Sequence, residues 1–195
     1  FFLLVSAGSL VFQGYQVLFK QERVGFKFQT FFLYKFRTMK INNANQLITE
    51  TGDKRITQWG NILRILKLDE LPQLWNIIKG DMRFIGPRPE VSEYVQKQDF
   101  LFLNSVKPGL TDFSSILLRN ESEILSRAGG IDKYQNLLEV KVELGHLYAE
   151  HKNFWLDMKL VFLTLVSIFF PKTAVTLVKK FFIEKHKPDL IPVVN

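Results

Sequence analysis

The chain has 195 residues and carries 26 Lys and Arg against 19 Asp and Glu, a formal charge of +7. It is long enough to bury a core of its own, and the positive surplus suits phosphate, nucleic acid or anionic lipid. The absence of cysteine excludes a disulfide framework, a thiolate zinc site and a cysteine nucleophile. Nineteen Phe in a basic chain suit a membrane interface.

The sequence opens on Phe1, inside the apolar run FFLLVSAGSLVF. That run is shorter than the ~20 residues needed to span a bilayer. It reads as the end of a truncated N-terminal membrane segment (1–19), with a buried core helix as the alternative. QVLFKQERVG and FKFQTFFLYKFRTM predict two strands joined near Gly25, and in the second Lys35 and Arg37 alternate with Phe36, which puts both cations on one face. Residues 42–58 are polar and rich in turn formers, which predicts a surface loop. ITQWGNILRILKL has helical spacing with a broad apolar face. PQLWNIIK predicts a further helix, with Pro72 in its first turn and Gly80 ending it.

PEVSEYVQKQDFLFLN reads as a helix, VKPGLT as a turn, ESEILSRA as a helical piece and residues 132–150 as a longer helix. The apolar stretch Leu160–Phe170 is too short to span a membrane, and Pro171 cuts it. It reads as an interfacial or core-packed helix, with Lys179, Lys180, Lys185 and Lys187 at its basic end. The predicted class is α+β, mainly helical: a small β-hairpin plus helices, monotopic and membrane-associated through amphipathic helices. Residues 1–195 form one domain, with a core over 20–150 and amphipathic helices over 151–195.

The chemistry concentrates in RILKLDELPQLWNIIKGDMRFIGPRP (64–89). Asp69 and Glu70 fall at or just before a helix N-terminus, where free N–H groups and partial positive charge suit a phosphate. Adjacent carboxylates point about 100° apart on a helix, so one can attack phosphorus while the other holds a metal or tunes its neighbour. An acidic pair that only favours the helix dipole is the plainer alternative. Against it stand the apolar neighbours Leu66, Leu68, Leu71 and Leu74, because burying charge without a partner is costly. Arg64, Lys67, Arg83 and Arg88 are the nearby cations. Pro87 and Pro89 stiffen Arg88 for a bidentate grip on phosphate, or for a structural turn. Lys35 and Arg37 add charge to the same pocket, or form a solvated strand face. No Walker loop or dinucleotide fingerprint is present, and His146, His151 and His186 are scattered.

KFRTM (35–39), LDELPQLWNIIKGDMRFIGPRP (68–89) and PGLT (108–111) resemble the bacterial sugar transferases, the monotopic polyprenyl-phosphate phosphoglycosyl transferases. QERVG (21–25) and FWLDMKL (154–160) resemble the family's flanking stretches, so the likeness runs from about residue 15 to about residue 165. The resemblance implies transfer of a phospho-sugar from a UDP-sugar to polyprenyl phosphate, usually undecaprenyl phosphate. It implies release of UMP, a covalent intermediate and Mg²⁺, on the cytoplasmic face of the bacterial inner membrane. Carried over, Asp69 matches the nucleophile and Glu70 its partner in the dyad, both near the metal. Arg64, Lys35 and Arg88 match phosphate-holding positions, and Arg119 matches the arginine that ends the family's Gly-Leu-Ala-Gln-Val-x-Gly-Arg segment. Membrane lipid is an expected contact, and a homodimer is compatible with the family.

In that last segment the chain reads TDFSSILLRN, with Asp112 for the first glycine and Ser115 for the glutamine, so the choice of sugar nucleotide stays open. A non-catalytic basic module that docks on anionic membranes is the rival reading. Nucleic-acid binding is set aside as a partner class, because the Phe residues also cluster in apolar runs and no nucleic-acid motif appears.

Overall fold

The computed structural model describes residues 8, 17–40, 52–128 and 134–190. Most of the predicted N-terminal membrane segment, and the greater part of the loop predicted over 42–58, lie outside them. Strands β1 (Leu18–Val24) and β2 (Thr30–Phe36) form the expected antiparallel hairpin, in register from Leu18 opposite Phe36 to Val24 opposite Thr30. A 3₁₀ turn at Phe26–Phe28 joins them after Gly25. Helix α1 (Gln58–Ile65) is capped by the Thr57 hydroxyl, which accepts from Gly60 N at 2.9 Å. Helix α2 (Gln73–Lys79) ends at Gly80, whose φ of 83° is the left-handed stop expected there. Pro72 precedes α2 as its cap residue.

Two expectations need correction. Residues 109–111 are not a plain turn: Gly109–Thr111 form β4, paired in parallel with β3 (Arg83–Ile85). The two strands run on into a close contact that only glycines allow. A Cβ on Gly109 would lie 2.2 Å from Gly86 N, and one on Gly86 2.4 Å from the Lys107 carbonyl oxygen. Residues 89–104 are not an α-helix either, but carry two short 3₁₀ turns at Ser92–Tyr94 and Leu101–Asn104. The Glu90 carbonyl accepts from Val24 N at 2.9 Å, and its side chain is drawn into the interior by Lys141. Docking on the β1 end in this way keeps the segment extended at Val91, and tertiary pairing overrides local helix preference.

Helices α3 (Phe113–Leu117), α4 (Glu121–Ala128), α5 (Tyr134–His151) and α6 (Phe154–Phe169) follow. Pro171 breaks the apolar run, as expected, but it also opens α7 (Pro171–Val178), where its missing N–H costs nothing. The chain then continues through a π-helical turn at Lys179–Ile183. Phe113, Leu144, Leu160, Val178 and Ile183 belong to the main core. A smaller core of Phe36 and Leu63, with Trp59, Leu68 and Leu71 packed against it, joins the hairpin to α1. Leu68 and Leu71 flank the two carboxylates, so this second core anchors the chemistry-bearing turn from both sides.

The outer face of α6 carries Phe154, Trp155, Met158, Phe162, Leu165 and Phe169, all exposed, while Leu156, Leu160 and Ser167 are buried. Among the described residues no helix is long and apolar enough to cross a membrane. His151 and His186, far apart in sequence, meet with ring centroids 4.3 Å apart, so these two histidines are not scattered in space.

Asn76 is fully buried and stitches α2 to the hairpin. Its Oδ1 accepts from Tyr34 N at 3.1 Å, and its Nδ2 donates to the Phe32 carbonyl at 2.7 Å. Asn76→Leu should leave both backbone groups of β2 without partners and cost about 3 kcal/mol, measurable as a lowered midpoint in urea unfolding.

Candidate active site

Asp69 and Glu70 occupy a 3₁₀ turn, Leu68–Glu70, between α1 and α2. Both are nearly buried, at 8% and 9% exposure. Lys67, just before them, holds φ 57° and ψ 21°, a left-handed conformation that a residue with a Cβ adopts at a cost of roughly 1–2 kcal/mol. This kink reverses the chain after α1 and presents the two acids one after the other.

Glu70 is the hub. Arg88 Nη2 donates to its Oε1 at 2.5 Å and Arg88 Nη1 to its Oε2 at 3.5 Å, a two-pronged pair. Lys35 Nζ lies 3.6 Å and Lys67 Nζ 3.9 Å from the same Oε1. Burial opposes ionisation of Glu70, but Arg88, Lys67 and Lys35 outweigh it and hold the carboxyl well below the usual range. Glu70 in turn keeps Arg88 firmly protonated.

Asp69 is placed differently. Its Oδ1 is buried without a hydrogen-bond partner. Burial, with the neighbouring Glu70 charge adding to it, raises its pKa against the pull of Lys35, Lys67 and Arg64. One acid is thus locked in ion pairs, and the other offers a free oxygen. The sequence suggested separate roles for the pair, and the two side chains stand in different environments.

Lys35 points to this cluster from β2. Burial, and next the Arg88 charge, lower its pKa to about 8. Arg64 stands at the end of α1, with Nε donating to the buried Thr38 hydroxyl at 2.9 Å. It senses the Asp69 charge without an ion pair to it within 4 Å among the described residues. Arg119 bridges α1 and α6, from the Ile65 carbonyl at 3.0 Å to the Ser167 hydroxyl at 3.3 Å. Arg37 lies over the Phe19 ring, 5.9 Å from its centroid. Phe19 stands opposite Lys35 in the hairpin register, and Arg37 N continues the pairing by donating to the Val17 carbonyl at 2.8 Å, so the two cations share a face as the alternation implied.

Arg88 is fixed through its loop. Gly86 N donates to the Thr111 carbonyl at 3.1 Å, and Gly109 N to the Pro87 carbonyl at 3.0 Å. Sequence reasoning missed a buried network behind that loop. Glu90 accepts from Lys141 Nζ at 2.9 Å and from the Tyr134 hydroxyl at 3.1 Å, and pairs with Arg23 at 3.5 Å. Lys141 also reaches Glu121 at 2.9 Å. A lone glutamate after Pro-Arg-Pro gives no hint of partners 51 residues along the chain.

Among the described residues no group of three or more acidic or histidine side chains is arranged to hold a metal. The donor set is the two adjacent carboxylates, with Asp69 Oδ1 unclaimed. Such a set fits Mg²⁺, which binds through one or two carboxylates and takes its remaining oxygens from phosphate and water.

The chain belongs to the bacterial sugar transferase family, whose sequence model matches residues 1–171. A UDP-N-acetylgalactosamine-undecaprenyl-phosphate N-acetylgalactosaminephosphotransferase of Aeromonas hydrophila is 33% identical over 78% of this chain and 35% of its own length. A UDP-glucose:undecaprenyl-phosphate glucose-1-phosphate transferase of Escherichia coli is 32% identical over 81% of the chain and 34% of its own length. The sugar transferase EpsL of Bacillus subtilis is 36% identical over 80% of the chain and 71% of its own length. The chain therefore spans about a third of the first two relatives.

The two acids should respond oppositely to neutralisation. Glu70→Gln leaves Arg88, Lys35 and Lys67 without their counter-charge and should cost about 3 kcal/mol. Asp69→Asn removes a charge that burial disfavours and should leave the melting temperature unchanged or raised. Thermal unfolding of both variants at pH 7 checks the contrast.

Proposed function

We propose that this protein transfers a sugar phosphate from a UDP-sugar to a polyprenyl phosphate at a membrane surface, with Asp69 as nucleophile. The observation that carries the reading is the unpartnered, buried Asp69 oxygen beside a Glu70 held ionised by three cations. Family membership and the activities named for the Aeromonas and Escherichia relatives support it.

In the first step an Asp69 oxygen attacks the β-phosphorus of the donor. The bond from that phosphorus to the bridging oxygen breaks, and UMP leaves with the electron pair. In the second step a phosphate oxygen of the polyprenyl phosphate attacks the same phosphorus. The acyl-phosphate bond breaks, Asp69 is restored as a carboxylate, and the lipid carries a diphosphate-linked sugar. Two steps through one covalent intermediate let a water-soluble donor and a lipid acceptor use one site in turn.

Asp69 is suited to the attack because its oxygen has no hydrogen bond to surrender. Arg88 and Lys35 supply positive charge where the diphosphate and the departing UMP need it, fixed in place before the reaction. Glu70 keeps these cations together and holds the charge beside Asp69. Asp69 and Glu70 would hold Mg²⁺, which when bound offsets diphosphate charge. The exposed aromatic face of α6, with Phe170 and Phe181 beyond it, gives the apolar surface on which a polyprenyl acceptor and its bilayer can rest. We place that bilayer at the cytoplasmic face of the bacterial inner membrane, the side that holds UDP-sugars.

Purified protein should release UMP from a UDP-sugar in the presence of undecaprenyl phosphate and Mg²⁺, tested over a panel that includes UDP-glucose and UDP-N-acetylgalactosamine. Without acceptor, intact-protein mass spectrometry should find one added sugar phosphate on the wild type and none on Asp69→Asn. Turnover by Asp69→Asn within a few-fold of wild type would falsify the nucleophile assignment, and a purely membrane-docking module would release no UMP at all. Lys35 predicts a second signature. It loses its proton as pH rises through about 8, so kcat/KM for the donor should fall above that pH, and Lys35→Arg should abolish the fall.

A further inference from the structure

The loop that carries Arg88 has a second set of contacts. The Asp112 carboxylate, 2% exposed, accepts from the Arg88 main-chain N at 3.3 Å through Oδ2. Its Oδ1 accepts from Ser115 N at 2.8 Å, and the Ser115 hydroxyl donates to it at 2.7 Å. The Ser114 hydroxyl reaches both oxygens at 2.8 Å. One carboxylate thus caps α3 with one oxygen and ties down the Arg88 backbone with the other. On the far side of Arg88, the Pro89 carbonyl accepts from Arg23 Nη1 at 3.1 Å, and Arg23 is itself held by Gln21 Oε1 at 2.7 Å.

Ordinary capping does not account for the second oxygen. A cap needs one acceptor, and Ser or Asn serves as well as Asp. Here Ser115 N and Arg88 N meet different oxygens of one side chain, and among cap residues only Asp has two acceptor oxygens to offer. Arg88 is also the one residue of the Pro-Arg-Pro stretch with a backbone N–H, because proline has none. That single N–H is spent on Asp112. Tilting the Arg88 backbone would swing a long side chain away from Glu70, so a restraint at its root governs where its guanidinium stands.

We propose that Asp112 is a positioning residue for Arg88: it clamps the Arg88 main chain so that the guanidinium stands aligned on Glu70 before any ligand arrives. For catalysis this rests on the function proposed above; the clamp itself does not.

Asp112→Asn and Asp112→Ser both retain a capping oxygen and break the clamp, so they separate the two roles. In hydrogen–deuterium exchange of the full chain, the Arg88 amide is the only amide signal from Pro87–Pro89. It should exchange at least about tenfold faster in either variant, while the amides of Ser115 and the rest of α3 stay within about twofold of wild type. With whichever of UDP-glucose and UDP-N-acetylgalactosamine the wild type turns over, kcat/KM for UMP release should fall about tenfold. In an Arg88→Lys background, which has no guanidinium to align, the Asp112 substitutions should add no further loss.

An Arg88 amide that exchanges at the wild-type rate in both variants overturns the clamp, whatever the turnover. A freed amide with undiminished UMP release, or losses that simply add in the Arg88→Lys background, overturns the positioning role. If wild type releases no UMP from either donor, the proposed function is what fails for those donors, and the exchange result still decides the clamp.

Discussion

The arrangement depends on one buried carboxylate. Glu70 sits under the hairpin with almost no access to water, and it remains charged only because Arg88 grips it with two N–H groups while Lys35 and Lys67 crowd the same oxygen. A buried acid with a single partner would gain little over an apolar residue of the same shape. With several partners it becomes the fixed point against which β2, the left-handed kink at Lys67 and the Pro-Arg-Pro loop are all aligned.

Three cations gathered by one anion leave positive charge in excess. The neighbour that could balance it, Asp69, is pushed by burial toward its neutral form and has an oxygen to spare. Such a cluster is unsatisfied in two complementary ways: it lacks negative charge, and Asp69 Oδ1 has no hydrogen-bond partner. In the function proposed above, a diphosphate would meet both needs, bringing charge to the cations and a phosphorus to the oxygen. The scaffolding around the pocket is correspondingly rigid. Two glycines in near contact join the β3–β4 pair to the Arg88 loop, and the Glu90–Lys141 network backs that loop from the interior.

What the sequence made legible was local. Alternation gave the hairpin, apolar spacing gave α1, and Pro72 and Gly80 bracketed α2. Arg88 between prolines, next to an acidic pair in an apolar setting, pointed to the pocket. What stayed hidden was long-range. Strand β4 is three residues long, too short for any periodicity to register. The segment after Pro89 has a helix-compatible composition, and it is extended at Val91 and then breaks into 3₁₀ turns because Glu90 finds its partners on α5 and on β1. Asp112 stood out only as a departure from the family's glycine, and what it touches, the Arg88 amide, lies 24 positions earlier.

The kink at Lys67 sets two demands against each other. Glycine adopts that backbone conformation freely, so on conformational grounds alone it is the better residue. Yet glycine has no ammonium to place beside Glu70, and the pocket would lose part of its hold on anions. On the function proposed above, backbone relaxation and anion capture therefore ask for different residues at position 67: glycine would ease the turn, and lysine sets a further positive charge beside Glu70.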